Sequence, residues 1–277
     1  MAQVNRRILP GFGISLGFTL MYLTVLVGIP LLACVVRVSS MAPSEFWNVV
    51  WNDPRVRSAY LLTFGASFVA ALISVVIGLL IGWVLVRYEF PGKRFFDALV
   101  DLPFALPTAV AGLVFSNLYV PTGFLGQFLT PLGIELSYSR PGIVLVLVFI
   151  GFPFVVRTVQ PVLESLDAET EEAAAALGAN RWQTFCKVIF PSILPALVTG
   201  FALAFARALG EYGSVVFISG NLPFKTEIAP VLVVEQLEAF RYQAATAIAL
   251  VLLIASFATL VIINWLERRS RRFEDGR

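Results

Sequence analysis

The sequence contains no histidine, only two cysteines and few charged residues. Without histidine there is no histidine-based catalysis and no histidine-ligated metal site. The two cysteines, Cys34 and Cys186, are expected near opposite faces of a membrane, which makes a disulfide between them implausible. Only 14% of the residues are charged, against about a quarter in soluble domains, so most of the chain is predicted to lie in lipid.

Two further absences limit the function. The net charge of +2 is too small to indicate nucleic-acid binding. No Gly-x4-Gly-Lys-Ser/Thr phosphate loop occurs, so the chain is not expected to bind ATP in the P-loop manner. We expect no cofactor or metal on this chain itself.

The chain is rich in long apolar runs, with 58% hydrophobic residues. About 20 helical residues cross a hydrocarbon core of roughly 30 Å, and bare backbone in lipid must form its hydrogen bonds internally. The sequence therefore predicts an all-α membrane protein with six transmembrane helices. The predicted spans are 14–36, 59–86, 98–120, 142–159, 193–217 and 244–266.

The basic residues predict the orientation of these spans. Thirteen of them fall on one side and six on the other, so the positive-inside rule predicts that both termini are cytoplasmic. The first span is too long for a cleavable signal and is interpreted as retained. The cytoplasmic set is Arg6, Arg7, Arg87, Lys93, Arg94, Arg157, Arg181, Lys187, Arg268, Arg269, Arg271, Arg272 and Arg277, and the external set is Arg37, Arg55, Arg57, Arg140, Lys225 and Arg241.

Two prolines interrupt the third predicted span. Pro103 and Pro107 stand four residues apart, and each removes a backbone donor that a helix needs. The pattern predicts a kinked or broken helix. Such a helix either lines a translocation pathway or gate, or packs as an irregular structural element; the pattern leaves both open.

The loop before the fifth predicted span carries strong helix signals. Asp167 suits an N-cap, Glu169 and Glu171 place negative charge at the positive end of the helix dipole, and Gly178 suits a left-handed C-terminal position. These signals predict a short helix outside the membrane over about 167–178. Many membrane proteins have such surface helices, so these signals alone indicate no function.

The spacing within this loop is more specific. Glu172, Ala173 and Ala174 are followed after three residues by Gly178, and after nine more by Val188-Ile-Phe-Pro191. This resembles the EAA signature of ABC importer permeases, with Val188 and Phe190 replacing the usual Ile and Leu. The resemblance implies that the loop is a coupling helix that docks on a separate ATPase subunit, which would use ATP and Mg.

The fifth predicted span contains two ionisable residues. Arg207 and Glu211 stand four apart, so they are expected to share a helix face and to be able to pair. Ionisable residues within a span are candidates for a pathway or gate. The same two residues are also compatible with a salt bridge that only fixes helix packing, or with side chains that snorkel at the inner edge of the membrane.

A longer resemblance covers nearly the whole chain from Leu9-Pro-Gly11 onward. The segments 101–112, 154–161, 171–182, 207–213, 217–221 and 225–227 resemble the T-type permeases of sulfate/thiosulfate importers.

This second resemblance implies a type I, MetI-like permease fold in a bacterial inner membrane. It also implies three kinds of partner: a homologous W-type permease, an ATPase dimer and a periplasmic sulfate/thiosulfate-binding protein. It divides the chain into an N-terminal tail, first helix and external loop (1–58), a permease core (59–266) and a basic cytoplasmic tail (267–277).

Other functions remain open from the sequence. Molybdate and tungstate permeases carry a similar Arg-x-Leu-Gly-Glu stretch, so Arg207 does not by itself select sulfate. An ion-gradient-driven secondary transporter would show broken helices in both halves, whereas one strongly broken span is predicted. A membrane enzyme is improbable, because no paired nucleophile and base is evident.

Overall fold

A computed structural model describes residues 12–274 of the chain, with the side chains of 264 and 266–274 outside the description. Arg6, Arg7, the Leu9–Gly11 segment and the basic side chains beyond the last span therefore lie outside the described residues. Within the described part the regular structure is helical.

The helices follow one another with short connections. In chain order they are α1 (Phe12–Ser39, with a π turn at Thr24–Gly28), α2 (Pro43–Trp47, continued by a π turn at Asn48–Asn52), α3 (Pro54–Arg87), α4 (Lys93–Val100), α5 (Leu102–Ala105), α6 (Thr108–Tyr119), α7 (Gly126–Leu129, followed by a 3-10 turn at Thr130–Leu132), α8 (Arg140–Ser165), α9 (Ala168–Ala176), α10 (Arg181–Leu209, with a π turn at Phe185–Ile189), α11 (Val215–Ile218), α12 (Ala229–Glu238) and α13 (Tyr242–Glu274).

Five of these helices are long and apolar enough to cross a membrane: α1, α3, α8, α10 and the 242–263 part of α13. They match five of the six predicted spans, which confirms an all-α, multi-span protein. The third predicted span, 98–120, is not one helix. It consists of α4, α5 and α6, and α6 alone is about 18 Å long, too short to cross a bilayer.

The prolines explain this broken segment. Leu106 is extended, with ψ 132°, as expected for a residue before proline, and Pro107 then stands at the N-cap of α6. Pro103 is buried in the first turn of α5, where a missing backbone donor costs nothing. The predicted break is therefore present.

The fifth predicted span is wrong at its C-terminal end. The helix ends at Leu209 and not at 217, because the chain turns at Gly210 and re-enters a helix only at α11. Glu211 consequently lies beyond the helix. The fourth predicted span is too short, since α8 continues to Ser165.

Three long helices, α3, α8 and α10, form the core through small residues. A Cβ added at Gly78 of α3 would lie 2.6 Å from the Cβ of Val155 on α8, and one at Gly200 of α10 would lie 2.9 Å from the Val155 Cα. Lipid supplies no hydrophobic drive between helices, so close approach through glycine is what lets the backbones pack.

The first helix lies at the periphery of this core. No residue of α1 is buried, and its contacts include α13, with the Arg37 guanidinium 5.7 Å from the centre of the Tyr242 ring, and the cluster of Met41, Val50 and Ala247, against which Val38 packs. The core helices define two ends of the molecule. The α9 end holds Arg87, α9 and the start of α10, and the opposite end holds Arg55 at the start of α3.

Candidate coupling segment and pathway residues

The predicted surface helix is present as α9, joined to α8 by two residues and to α10 by four. Asp167 stands at its N-cap in an extended conformation, but the Asp167 side chain makes no capping hydrogen bond, unlike the usual N-cap arrangement. Glu169 and Glu171 lie in the first turn, where negative charge complements the helix dipole. Acidic residues near the positive end of the dipole therefore stabilise the start of α9.

The C-terminal end of α9 is closed by a Schellman motif. Gly178 has φ 84°, in the left-handed region that disfavours residues with a Cβ. Its amide donates to the Ala175 carbonyl at 2.9 Å, and the Ala179 amide donates to the Ala174 carbonyl at 3.0 Å. Gly178 thus ends the helix sharply, as the sequence predicts.

The connection from α9 to α10 is short and fully capped. Asn180 and Gln183 form a capping box, with the Gln183 amide bonded to Asn180 Oδ1 at 2.8 Å and the Asn180 amide bonded to Gln183 Oε1 at 2.9 Å. Helix α10 therefore starts at once after the Schellman turn, and little backbone is left free between the two helices.

The outward surface of this segment is uncovered within the single chain. Glu172 and Ala173 are exposed. Two large apolar side chains beside α9 are also largely exposed to solvent, Leu177 at 89% and Trp182 at 72%. Aromatic and aliphatic side chains exposed in this way, next to a face of small alanines, are typical of a protein-interaction site.

One ion pair holds α9 against the core. Arg87, in the last turn of α3, donates from Nη2 to Oε1 of Glu171 at 2.5 Å. The Arg87 guanidinium also lies 5.3 Å from the centre of the Trp83 ring, close enough for a cation–π contact. This pair connects α9 to a helix that is not its neighbour in sequence.

The second predicted pair, Arg207 and Glu211, also forms. Nη1 of Arg207 lies 2.7 Å from Oε2 of Glu211, whose side chain is 2% exposed. The other oxygen of Glu211 accepts from both the amide and the hydroxyl of Ser214 at 2.9 Å. Both carboxylate oxygens of Glu211 therefore have partners within the chain, and the hydrogen bonds to Ser214 stabilise the turn after α10.

Arg207 differs from its partner in exposure, since 36% of its side chain is accessible. It lies in the last turn of α10, about 39 Å along the axis from Arg181. This places it far from the α9 end, so the snorkelling interpretation holds only if the inner membrane edge lies at the end opposite α9. The pathway and packing interpretations both remain compatible with the position.

The turn after α10 packs on the broken third segment. A Cβ added at Gly213 would lie 2.3 Å from Thr108 Oγ1, and one added at Gly112 would lie 2.3 Å from the Ser214 carbonyl oxygen. The Pro107 break therefore positions the start of α6 against the turn that Glu211 organises. Pro103 lies in α5, which packs instead against α8.

The sequence analysis missed two ionic clusters. Arg157 of α8 bonds Asp101 through Nε at 2.8 Å and Nη2 at 2.7 Å, and bonds Asp97 through Nη1 at 2.7 Å. Partial burial opposes ionisation of Asp97, but hydrogen bonds from Arg157 and Gln160 outweigh it, so the pKa of the Asp97 carboxyl lies below its ordinary value. Asp101 and Arg157 inside predicted spans were the signal that could have indicated this cluster.

The other missed cluster lies at the opposite end. Arg55 donates to Glu227 from Nε at 2.8 Å and from Nη2 at 2.5 Å, and Nη2 also pairs with Glu235. Glu227 is 2% exposed. Because Arg55 and Glu227 are 172 residues apart, no local pattern indicates their contact.

Among residues 12–263, no group of three or more histidine, cysteine, aspartate or glutamate side chains is placed to hold a metal ion.

Comparison with known proteins gives this geometry its context. Residues 74–272 match the family described as binding-protein-dependent transport system inner membrane component. The chain belongs to this family. It is a membrane-embedded permease subunit of an importer, a transport subunit and not an enzyme, as the sequence predicts.

Curated relatives match over nearly the full length. The sulfate transport system permease protein CysT of Escherichia coli is 49% identical over 98% of each chain. CysT of Synechocystis is 51% identical over 92% of this chain and 89% of its own.

Solved structures share the fold at lower identity. A chain of a bacterial ABC transporter involved in alginate import superposes with a TM-score of 0.77 at 15% identity, covering 92% of this chain and 94% of its own. A chain of the MetNI methionine ABC transporter superposes with a TM-score of 0.55 at 21% identity, covering 84% and 99%. The resemblance to the MetI-like permease fold is thereby confirmed.

Proposed function

We propose that this permease moves sulfate or thiosulfate across a bacterial inner membrane, driven by ATP hydrolysis on a separate subunit. The observation that carries the proposal is the 49% identity to a sulfate permease over 98% of both chains. The general family match covers only residues 74–272, whereas this likeness extends over nearly the whole chain.

The proposed assembly contains four kinds of component. This chain pairs with a homologous W-type permease, and two ATPase subunits dock at the α9 end. A periplasmic sulfate/thiosulfate-binding protein delivers the anion at the opposite end. ATP and Mg are used on the ATPase subunits, both termini of this chain lie in the cytoplasm, and residues 59–266 form the permease core.

Coupling is proposed to proceed through α9. The surface of α9 carries the exposed Glu172 and the small side chains of Ala173 and the partly exposed Ala174, which a partner groove can approach closely, and it is flanked by the exposed Leu177 and Trp182. Because Gly178 and the Asn180 capping box leave little slack, a displacement of α9 is transferred to α10.

Arg207 is the proposed pathway or gate residue. A guanidinium carries a fork of donors suited to the oxygens of a tetrahedral oxyanion, and one nitrogen of Arg207 is held by Glu211 while much of the side chain stays accessible. Pro107 serves this site because the break before it lets α6 start against the Glu211 turn, whereas Pro103 is proposed to act only indirectly, by shaping α5 where it packs on α8.

The test is radiolabelled sulfate uptake into vesicles that contain the complete complex and internal ATP. We expect ATP-dependent uptake that a protonophore does not abolish. Uptake that requires an ion gradient and ignores ATP would contradict the proposal and favour a secondary transporter.

Molybdate or tungstate is the second candidate cargo, favoured by the similar stretch around Arg207. The same vesicles with excess unlabelled molybdate separate the two. We expect unlabelled thiosulfate to compete strongly with labelled sulfate and molybdate to compete weakly. Strong competition by molybdate, without competition by thiosulfate, would indicate that molybdate is the cargo.

A further inference from the structure

The three-helix core is connected to α9 in an uneven way. Leu166 and Asp167 join α9 to α8, and Leu177 to Asn180 join it to α10, so two core helices have a covalent connection to the surface helix. The third, α3, has none. It ends at Arg87 and leads into α4 through a separate loop. Movement of α9 therefore reaches α3 without a covalent link, either through the packing of α3 against α8 and α10 or through a direct side-chain contact with α9.

Arg87 is the side chain that makes this connection. Its guanidinium bonds Glu171 of α9 at 2.5 Å, and both side chains are only partly exposed, at 24% and 31%. Partial burial limits the screening that weakens ion pairs on open surfaces. The Nε of Arg87 is buried and finds no hydrogen-bond acceptor among the described residues, so the guanidinium is oriented by Glu171 and the aromatic face of Trp83.

The same tryptophan extends the contact to α10. The Trp83 ring meets Phe185 edge-on, with the centroids 5.7 Å apart, and Phe185 stacks on the exposed Trp182 at 5.8 Å. Phe185 lies in the π turn that follows the capping box. The end of α3 therefore contacts both sides of the Schellman turn, through Glu171 before it and Phe185 after it.

We propose that Arg87 and Glu171 are positioning residues that make α3 move together with α9, with Trp83 supporting the guanidinium. The inference deepens the proposed function, since it assumes that α9 receives motion from an ATPase subunit. Without the ion pair, α9 still docks and still moves α8 and α10. The third core helix then follows imperfectly, so ATP is hydrolysed with less transport.

The decisive quantity is the number of ATP molecules hydrolysed per sulfate imported, measured in vesicles with the complete complex. We expect R87Q and E171Q each to raise this ratio at least about fivefold, the lower range of coupling between distant sites. The charge-reversed double variant R87E/E171R restores an ion pair but loses the cation–π contact with Trp83 and the acidic side chain in the first turn of α9, so it should recover part of the wild-type efficiency and exceed the worse single variant.

A matched control lies on the same end of the molecule. Lys93 and Glu89 form an ion pair at 2.7 Å in which Glu89 is 88% exposed and which does not reach α9. K93Q removes one ion pair as R87Q does, and we expect an unchanged ratio. Copurification of the ATPase subunits with each variant checks that folding and docking are intact, and E171Q keeps the test valid if R87Q fails to assemble.

Each outcome has a definite meaning. Single variants with the wild-type ratio overturn the inference, as does a double variant no better than the worse single one. A rise with K93Q equal to that with R87Q also overturns it, because the effect is then one of general surface charge. If the wild-type complex shows no ATP-dependent uptake, the proposed function is contradicted. That result differs from every outcome that overturns the Arg87 inference, so the two failures can be told apart.

Discussion

The two ends of the helix core use their charged residues differently. At the opposite end, Arg55 is bonded to Glu227 and Glu235 within the chain, and Glu227 is almost completely buried. At the α9 end, one ion pair fixes α9 while Glu172, Leu177 and Trp182 stay exposed. Internal pairs occur at both ends, since Arg157 binds Asp97 and Asp101, but the α9 end also retains an exposed surface for a partner. Substitutions should therefore affect stability at one end and coupling at the other.

The largest expected effect is that of G178W. The substitution places a bulky side chain at a left-handed position next to the proposed docking face. We expect normal membrane insertion and loss of coupled ATP hydrolysis and uptake, measured in vesicles.

Gly133 supplies a matched control for this loss. It also has a left-handed φ, 76°, with nothing within 4 Å of an added Cβ, but it lies in the loop after α7. G133W should cost about 1–2 kcal/mol of backbone strain and preserve most uptake. Equal loss in both variants would show that strain, and not the location of Gly178, is responsible.

At the opposite end, R55A should reduce stability strongly. The substitution leaves the buried carboxylate of Glu227 without its partner, which costs about 3 kcal/mol or more. Thermal unfolding of the detergent-solubilised protein measures the loss. E235Q is the control, because Glu235 is half exposed and should contribute about 1 kcal/mol or less. A larger effect of E235Q than of R55A would contradict the comparison.

Substitutions at Arg207 test whether the Arg207–Glu211 ion pair contributes both to the stability of the fold and to the translocation pathway. R207A leaves the buried Glu211 unpaired, so a packing role and a pathway role both predict reduced uptake. In the double variant R207A/E211Q the unpaired charge is absent. Recovery of wild-type uptake in the double variant would favour packing alone, and uptake still reduced at wild-type thermal stability would support the pathway role. We expect the second result. Wild-type sulfate uptake by R207A itself would end the pathway proposal.

The smallest expected effect is that of K93Q on stability. The Lys93 to Glu89 pair joins the start of α4 to the preceding loop and is exposed, and such surface pairs contribute about 0–1 kcal/mol. Thermal unfolding should change little, and less still at high salt. A loss comparable to that of R55A would mean that the α9 end depends on its surface charges for stability.

Local signals made part of this structure predictable. Proline at 103 and 107 predicted the break, and Gly178 with the alanine run predicted the end of α9, because these residues act on the backbone within one turn. Span ends were less predictable. The predicted span continues to Phe217 across the polar stretch from Gly210 to Ser214, while the helix ends at Leu209 because Glu211 and Ser214 stabilise a turn there.

The contacts between distant segments were not predictable from one sequence. Arg87 was counted only as a cytoplasmic charge and Arg55 only as an external one, since their partners lie 84 and 172 residues away. In the same way, the Gly78 to Val155 approach depends on how α3 crosses α8, which no local pattern specifies.

The adjoining caps between α9 and α10 have a consequence for sequence length. The Gly178 turn and the Asn180 box use the backbone groups on both sides of Ala179, so an extra residue there has no hydrogen-bonded position to occupy. This connection should tolerate changes in side-chain identity far better than insertions or deletions. The number of residues between the alanine run and the start of α10 is therefore set by the two caps, and it fixes the distance between α9 and α10.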